Sequence, residues 1–334
     1  MSLLKTSSFL LTCVLISSCS TTTKIKYLEP AQVSGVSKLK RISVDDFKND
    51  SVGLSGLIES KLSGKTFNNK PYFTLVNREQ IKDIIAEQKR QYSGITSEKN
   101  TVQLGELIAA QAFITGKVHS KNYHDTSYYE NRTECVDKKC NEVKKYRVRC
   151  KKRAISLGAN IKIIKVETSG VIYTHAYNKQ GSWSVCTDSY SQLPSPSSIW
   201  SKQANLIASQ FIHSITPSYS YREIELLDEP DIKYDSQQKK LLKSGLEFIE
   251  SNNLKKAEDF LSQLVFKTHS KSYVANYNLG VVKEAKGEYQ KARQLFTLAE
   301  DILQKPNKTV SNALNRINSV ISKHQHAQQQ LQDN

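Results

Sequence analysis

The first cluster of apolar positions is Phe9, Leu10, Leu11, Cys13, Val14, Leu15 and Ile16, preceded by Lys5 and followed by small residues up to Cys19. A run this short does not stay in a bilayer as a spanning helix; with one cation before it and small residues after it, it predicts a signal peptide over 1–18. Residues 20–35 show little apolar periodicity and contain Pro30 and Gly35, which predicts a short tether over 19–37. Leu39, Ile42, Val44 and Phe47 then predict a strand. Leu54, Leu57, Ile58 and Leu62 recur at helical spacing, and Tyr72–Val76 predicts a second strand. Two more helical stripes follow, Ile81, Ile84, Ile85 and Gln88, then Leu104, Leu107, Ile108 and Ala112, before a third strand over Ala112–Val118. Strands alternating with helices predict an α/β layer, here over 38–225.

After Pro217 and Pro230 the pattern changes. A linker over 226–235 leads into a segment dominated by helix formers, with a period near 35. Gly245 aligns with Gly280, Phe248 with Lys283, Leu254 with Tyr289, Ala257 with Ala292, Leu261 with Phe296 and Leu264 with Ala299. The run Tyr277-Asn278-Leu279-Gly280, Gly287-Glu288-Tyr289, Ala292, Phe296 and Ala299, with Pro306 beyond, resembles the tetratricopeptide repeat. Lys283 departs from that repeat's usual aromatic. The resemblance implies an all-α domain of paired helices whose groove grips a protein partner. Val310, Ala313, Leu314, Ile317, Val320 and Ile321 predict a capping helix, so repeats and cap span 236–323 ahead of a polar tail over 324–334.

The end of the apolar run carries a second resemblance. Ile16-Ser17-Ser18-Cys19 is similar to the lipobox of bacterial lipoproteins, which implies that Cys19 becomes the lipidated first residue, with acyl chains such as palmitate. The alternatives are an ordinary cleavable signal and a buried apolar start. Ser20 resembles the pattern sorted to the outer membrane, so the expected location is the periplasmic face of that membrane in a Gram-negative cell. No other stretch reaches 18 apolar residues.

Compartment changes the meaning of charge and cysteine. Lys plus Arg number 48 against 32 Asp plus Glu, a net charge of +16, and a balance this basic points to an anionic partner. The periplasm makes nucleic acid an unsuitable one and leaves lipopolysaccharide phosphate, lipid headgroups, anionic cell-wall polymer and acidic proteins. Cys135, Cys140, Cys150 and Cys186 remain in the mature chain, an even number in an oxidising compartment. Two disulfides are expected, with three pairings open; Cys135 and Cys140 bracket four residues and suit a small loop. A four-cysteine zinc site is the rival, without the two CxxC knuckles such sites use. No metal and no cofactor are expected.

Phe73-Thr74-Leu75-Val76-Asn77-Arg78, Ile81, Ile84-Ile85, Glu87-Gln88, Ser93-Gly94, Leu104-Gly105 and Ala109–Gly116 follow one another in an order that resembles the CsgG/HfaB family, the curli secretion channel lipoproteins and their relatives. Ile161–Val166 with Val171–Tyr173 fits the family's closing hairpin, and Ala204, Ile207, Ala208, Phe211 and Ile215 its final helix. The resemblance covers about residues 38–217 and implies a periplasmic α/β frame holding membrane hairpins, here at 119–153 and 177–198. The first of these is the densest basic stretch, with Lys138, Lys139, Lys144, Lys145, Arg147, Arg149, Lys151, Lys152 and Arg153. As a strand, 143–153 puts Val, Lys, Arg, Arg, Lys and Arg on one face and Lys, Tyr, Val, Cys and Lys on the other. The first face does not suit lipid, where each midplane cation costs about 2 to 4 kcal/mol, and Asp188, Pro194 and Pro196 interrupt the second hairpin. The basic strand is therefore a candidate anion-binding face, with Tyr123, Tyr128, Tyr129 and Tyr146 interleaved.

No nucleophile elbow, phosphate loop or HExxH motif occurs, and the seven His are scattered. The expectation is a non-enzyme: an outer-membrane lipoprotein acting as scaffold or adaptor in assembly or secretion of an envelope structure. The alternatives are an oligomeric CsgG-type secretion channel and an activator of a cell-wall synthase.

Overall fold

The computed structural model describes residues 21–76 and 110–332. The predicted signal segment, Cys19 and the helical stripes over 78–91 and 104–109 lie outside these residues. The described residues divide into two compact units: those of 28–218 with 325–332, and 21–27 with 219–324. The fold is a mixed five-stranded sheet with helices, followed by an all-helical region.

In chain order, β1 (Thr22–Glu29), α1 (Ser34–Ser37), β2 (Arg41–Val44) and α2 (Leu54–Ser63) are followed by three two-residue strands, β3 (Thr66–Phe67), β4 (Lys70–Pro71) and β5 (Thr74–Leu75). Three long strands come next, β6 (Ala112–Cys135), β7 (Val143–Lys165) and β8 (Val171–Cys186), then α3 (Pro196–Ile215) and β9 (Ser218–Glu225). The helices α4 (Ser236–Glu250), α5 (Leu254–Lys267), α6 (Tyr273–Ala285), α7 (Tyr289–Ile302) and α8 (Lys308–Gln332) complete the chain.

The α/β unit is built on the strand order β5-β2-β6-β7-β8. β2 runs parallel to β5 and β6, while β6, β7 and β8 form an antiparallel meander. The stripe Leu54, Ile58 and Leu62 of α2 is fully buried, as are Ala204, Ile207, Ala208, Phe211 and Ile215 of α3, and both pack with Ile42, Ile114, Leu157, Ile161 and Ile163 of the sheet. Local chemistry fixes the helix starts. Asp50 accepts hydrogen bonds from the Leu54 and Ser55 amides at 2.9 and 2.8 Å, and Ser195 caps α3 from the Ser198 amide at 3.2 Å with Pro196 at its first turn.

Four expectations need correction. The third strand does not stop at Val118 but continues to Cys135, because β7 pairs with it along its whole length. The second strand is reduced to Thr74–Leu75, since Tyr72 and Phe73 turn into the core instead of alternating. The predicted 19–37 tether is ordered over its described part, from Thr21 on: Ile25 and Tyr27 of β1 are 1% exposed, and β1 pairs with β9. The polar tail continues α8 to Gln332, with Ala327 buried and the Gln330 side chain hydrogen-bonded to the Ala31 amide at 2.8 Å.

In the helical unit, α4 with α5 and α6 with α7 form two hairpins. A Cβ placed on Gly245 would stand 2.7 Å from Leu261, and one on Gly280 would stand 2.6 Å from Phe296, so the same close approach recurs 35 residues later. Asp235 and Gln238 form a capping box, and Asn253 and Ser272 cap α5 and α6. Lys283, where the repeat pattern expects an aromatic, is only 12% exposed and pairs with Glu258 and, at 3.2 Å, with Glu288. Lys286 and Lys291 join the cluster at 3.1 and 2.8 Å from Glu288, which holds that carboxyl down at about 2; the Lys291 hydrogen bond is the largest cause.

The interior side of α6 is filled by the chain's own strands. Asn278 accepts a hydrogen bond from the Leu227 amide at 3.0 Å and donates one to the Leu227 carbonyl at 2.6 Å. Tyr277 donates to the Glu225 carbonyl at 2.7 Å, and Tyr27 donates to the buried Glu284 at 2.9 Å, whose carboxylate also takes two bonds from Arg316. The groove expected to grip a protein partner is thus occupied along α6, and the 226–235 linker is tied down, with Asp231 accepting from the Tyr273 amide at 2.7 Å.

Candidate anion-binding ribbon

β6 and β7 run together far past the point where helices cover the sheet. A register shift between Val118 and Ser120 moves the side-chain parity of β6 by one. Below it Ala112, Ile114 and Val118 face the core; above it Asp125, Ser127, Tyr129, Asn131 and Thr133 occupy the equivalent face. On β7 that face reads Arg153, Lys151, Arg149, Arg147 and Lys145, each directly opposite one of those β6 residues in the same order.

Charge is sorted between the two faces. Arg153 is paired with Asp125 through Nε–Oδ1 at 2.7 Å and Nη2–Oδ2 at 2.6 Å, and donates to the Pro194 carbonyl at 2.9 Å. The hydrogen bond from Arg153 holds the Asp125 carboxyl below the usual range. Beyond that pair, Lys151, Arg149, Arg147 and Lys145 are all exposed and face the neutral Ser127, Tyr129, Asn131 and Thr133. Among the described residues none of these four cations forms an ion pair; Arg147 lies 4.7 Å over the Tyr129 ring. With about 3.3 Å per residue, they make a row about 20 Å long with a charge about every 7 Å.

The opposite face is compensated. Glu134 stands across from Lys144, and Arg132 pairs with Glu130 at 2.6 Å and with Asp188 at 3.1 Å. The Asp188 hydrogen bond is the largest influence raising the Arg132 pKa. Val148 and Cys150 are buried on this side, and Tyr146 and Tyr128 are half-buried. Lys152 shares this face, while Lys138 and Lys139 sit in the turn. Neither face offers the continuous apolar band of a lipid-facing strand.

Two disulfides brace the ribbon. Cys135–Cys140 closes its turn, where Asp137 accepts hydrogen bonds from the Asn141 amide at 2.7 Å and side chain at 2.9 Å. Cys150–Cys186 joins β7 to the end of β8, where the two residues are opposite in register. Glu130, Cys150 and Cys186 cluster closely enough for a metal, but both sulfurs are committed to the disulfide. At the base of the ribbon Tyr123 packs edge-on against Trp200, with Lys121 4.6 Å over the indole.

Of the nine cations singled out in sequence, the structure gathers Lys145, Arg147, Arg149 and Lys151 into one uncompensated row and neutralises Arg153. The compensating Asp125, Glu130 and Glu134 were missed because they lie on β6, outside the basic stretch. The period-2 alternation of 143–153 was the available signal for the row.

No protein-family model matches the chain, and no curated protein matches it; the CsgG-like and tetratricopeptide resemblances rest on the residues quoted for them. Among solved structures, the chain is similar to the lipoprotein GNA1162 of Neisseria meningitidis, with 12% identity over 53% of this chain and 99% of that one and a TM-score of 0.24. It is also similar to the PelC dodecamer of Paraburkholderia phytofirmans, with 12% identity over 56% of this chain and 95% of that one and a TM-score of 0.23. A third similarity is to the hypothetical protein CT253 of Chlamydia trachomatis, at 10% identity, 42% and 72% coverage and a TM-score of 0.21. Among the described residues no helix is long and apolar enough to cross a membrane.

Proposed function

We propose that this chain is a non-catalytic, lipid-anchored envelope scaffold at the periplasmic face of the outer membrane, and that its β6–β7 ribbon holds a linear polyanion. The observation that carries this reading is the row Lys145, Arg147, Arg149 and Lys151, exposed on one face with no carboxylate opposite it. Evenly spaced cations on a two-stranded ribbon match a chain of repeating negative charge, and Tyr129 adds a ring on which a sugar or an Arg–phosphate pair can rest. The Cys150–Cys186 bridge and the Arg132–Asp188 pair support the ribbon from its other face. The helical repeats serve as the body of the scaffold, gripping β1 and β9.

Phosphate and carboxylate present the same charge, and their sources separate experimentally. Binding of the purified chain to phosphate-bearing lipopolysaccharide and to a soluble uronic-acid polymer is measured by calorimetry at two salt concentrations. Salt-sensitive binding to either supports the reading and identifies the source; binding to neither overturns it.

A further inference from the structure

The anchor predicted at Cys19 and the ordered start of β1 together fix a position for the helical unit. Thr21 accepts a backbone hydrogen bond from the Leu226 amide at 2.8 Å, so this unit is structured from the second residue after Cys19. The strand that follows is held firmly. Ile25 and Tyr27 are 1% exposed in the core of the helical unit, Tyr27 is hydrogen-bonded to the buried Glu284 beside Arg316, and Leu227, next to the Leu226 that pairs with Thr21, is clamped at both backbone atoms by Asn278. Two residues of extended chain reach about 7 Å, whereas the 19-residue tether expected from sequence would reach about 65 Å.

We propose that the helical unit is seated directly on the lipid surface, with the Thr21–Leu226 end of its two-stranded sheet at the headgroups. This rests on the reading of Cys19 as the lipidated residue. Two residues of chain keep an acylated Cys19 within about 7 Å of Thr21, and neither β1 nor its partner strand has slack to move the unit away. The occupant of this end is therefore the headgroup layer itself. The segment beside it, Leu226-Leu227-Asp228-Glu229-Pro230, is the first part of the folded chain to meet the membrane. Position here is set by chain length and the locked strand, so it does not require an anionic lipid.

The test uses the mature full-length chain, acylated in cells and reconstituted into phosphatidylethanolamine–phosphatidylglycerol vesicles, with a fluorophore on Asp228→Cys. Mass spectrometry of the N-terminal peptide reports acylation. Lipids spin-labelled in the headgroup are expected to remove most of the label's emission. A second chain carries a 20-residue Gly/Ser spacer after Ser20, whose root-mean-square length is about 25 Å. It is expected to remain vesicle-bound and to recover its emission. Acylated protein whose label is not quenched overturns the proposal while leaving the anchor intact, and quenching that survives the spacer also overturns it. Protein that lacks acyl chains and does not associate with vesicles overturns the anchor reading, and the proposal with it.

Discussion

Arg153 and Asp125 stand directly opposite each other on β7 and β6 and exchange two hydrogen bonds, at 2.7 and 2.6 Å. The pair marks the boundary of the candidate site: toward the turn, the same face carries four cations and no carboxylate. Asp125→Asn removes the one carboxylate on this face and frees a fifth cation. Polyanion affinity should rise by up to about fivefold, since one cation near a charged surface is worth roughly 1 kcal/mol. Calorimetric titration at low salt checks this, and an unchanged affinity would place the ligand elsewhere.

The two helical hairpins depend on bare backbone at Gly245 and Gly280. Leu261 and Phe296, which face those positions, are fully buried and have nowhere to retreat. Gly280→Ala should cost about 1 to 3 kcal/mol and Gly245→Ala a similar amount, despite the better helix propensity of alanine. Chemical denaturation followed by far-ultraviolet circular dichroism reads both.

Glu288 is held at about 2 by Lys291, Lys286 and Lys283, and Glu258 is also lowered, against its own burial, by Lys283 and Lys286. A carboxyl whose folded pKa is depressed contributes stability that is fully present above its ordinary pKa and is lost as pH falls toward the folded value. The thermal midpoint of the helical unit should therefore fall between about pH 4.5 and 2, and Glu288→Gln should flatten that slope. A pH series of melting curves on both chains measures the difference.

Glu284 is fully buried and has Tyr27, Arg316 and no water-facing side. Glu284→Ala leaves the Arg316 guanidinium, 13% exposed, without its partner and should cost about 3 to 5 kcal/mol. Tyr27→Phe removes one bond to a charged acceptor and should cost about 1.5 to 3 kcal/mol. Replacing both Glu284 and Arg316 with apolar residues of similar volume should recover much of the first loss, which double-variant denaturation tests.

Much of the architecture was written in local periodicity. The α2 stripe, the α3 stripe and the 35-residue repeat each follow from spacing alone, since apolar residues at helical intervals have one face to bury. What was not legible depends on partners distant in sequence. Nothing near Thr22–Glu29 shows that Ile25 and Tyr27 will be buried against helices some 250 residues away, so the segment read as a tether. The tail misled for the same reason: Gln330 looks like solvent-facing polarity until Ala31 is beside it. At the ribbon, alternation sorted the cations of β7 correctly by face, but which of them were neutralised depended on the register with β6 and on a one-residue bulge near Ser120 that no local pattern announces.

The measurement that bears most directly on the proposed function is the salt-dependent affinity of the ribbon variant Lys145→Gln/Arg147→Gln/Arg149→Gln/Lys151→Gln for the polyanion that the native chain binds. Circular dichroism and an Ellman assay on both chains confirm that fold and disulfides are kept. The native chain should bind with an affinity that falls steeply as salt rises. The variant should bind at least about a hundredfold more weakly, with a nearly flat salt dependence. An unchanged affinity and salt slope in the folded variant would contradict the assignment of the row as the binding face.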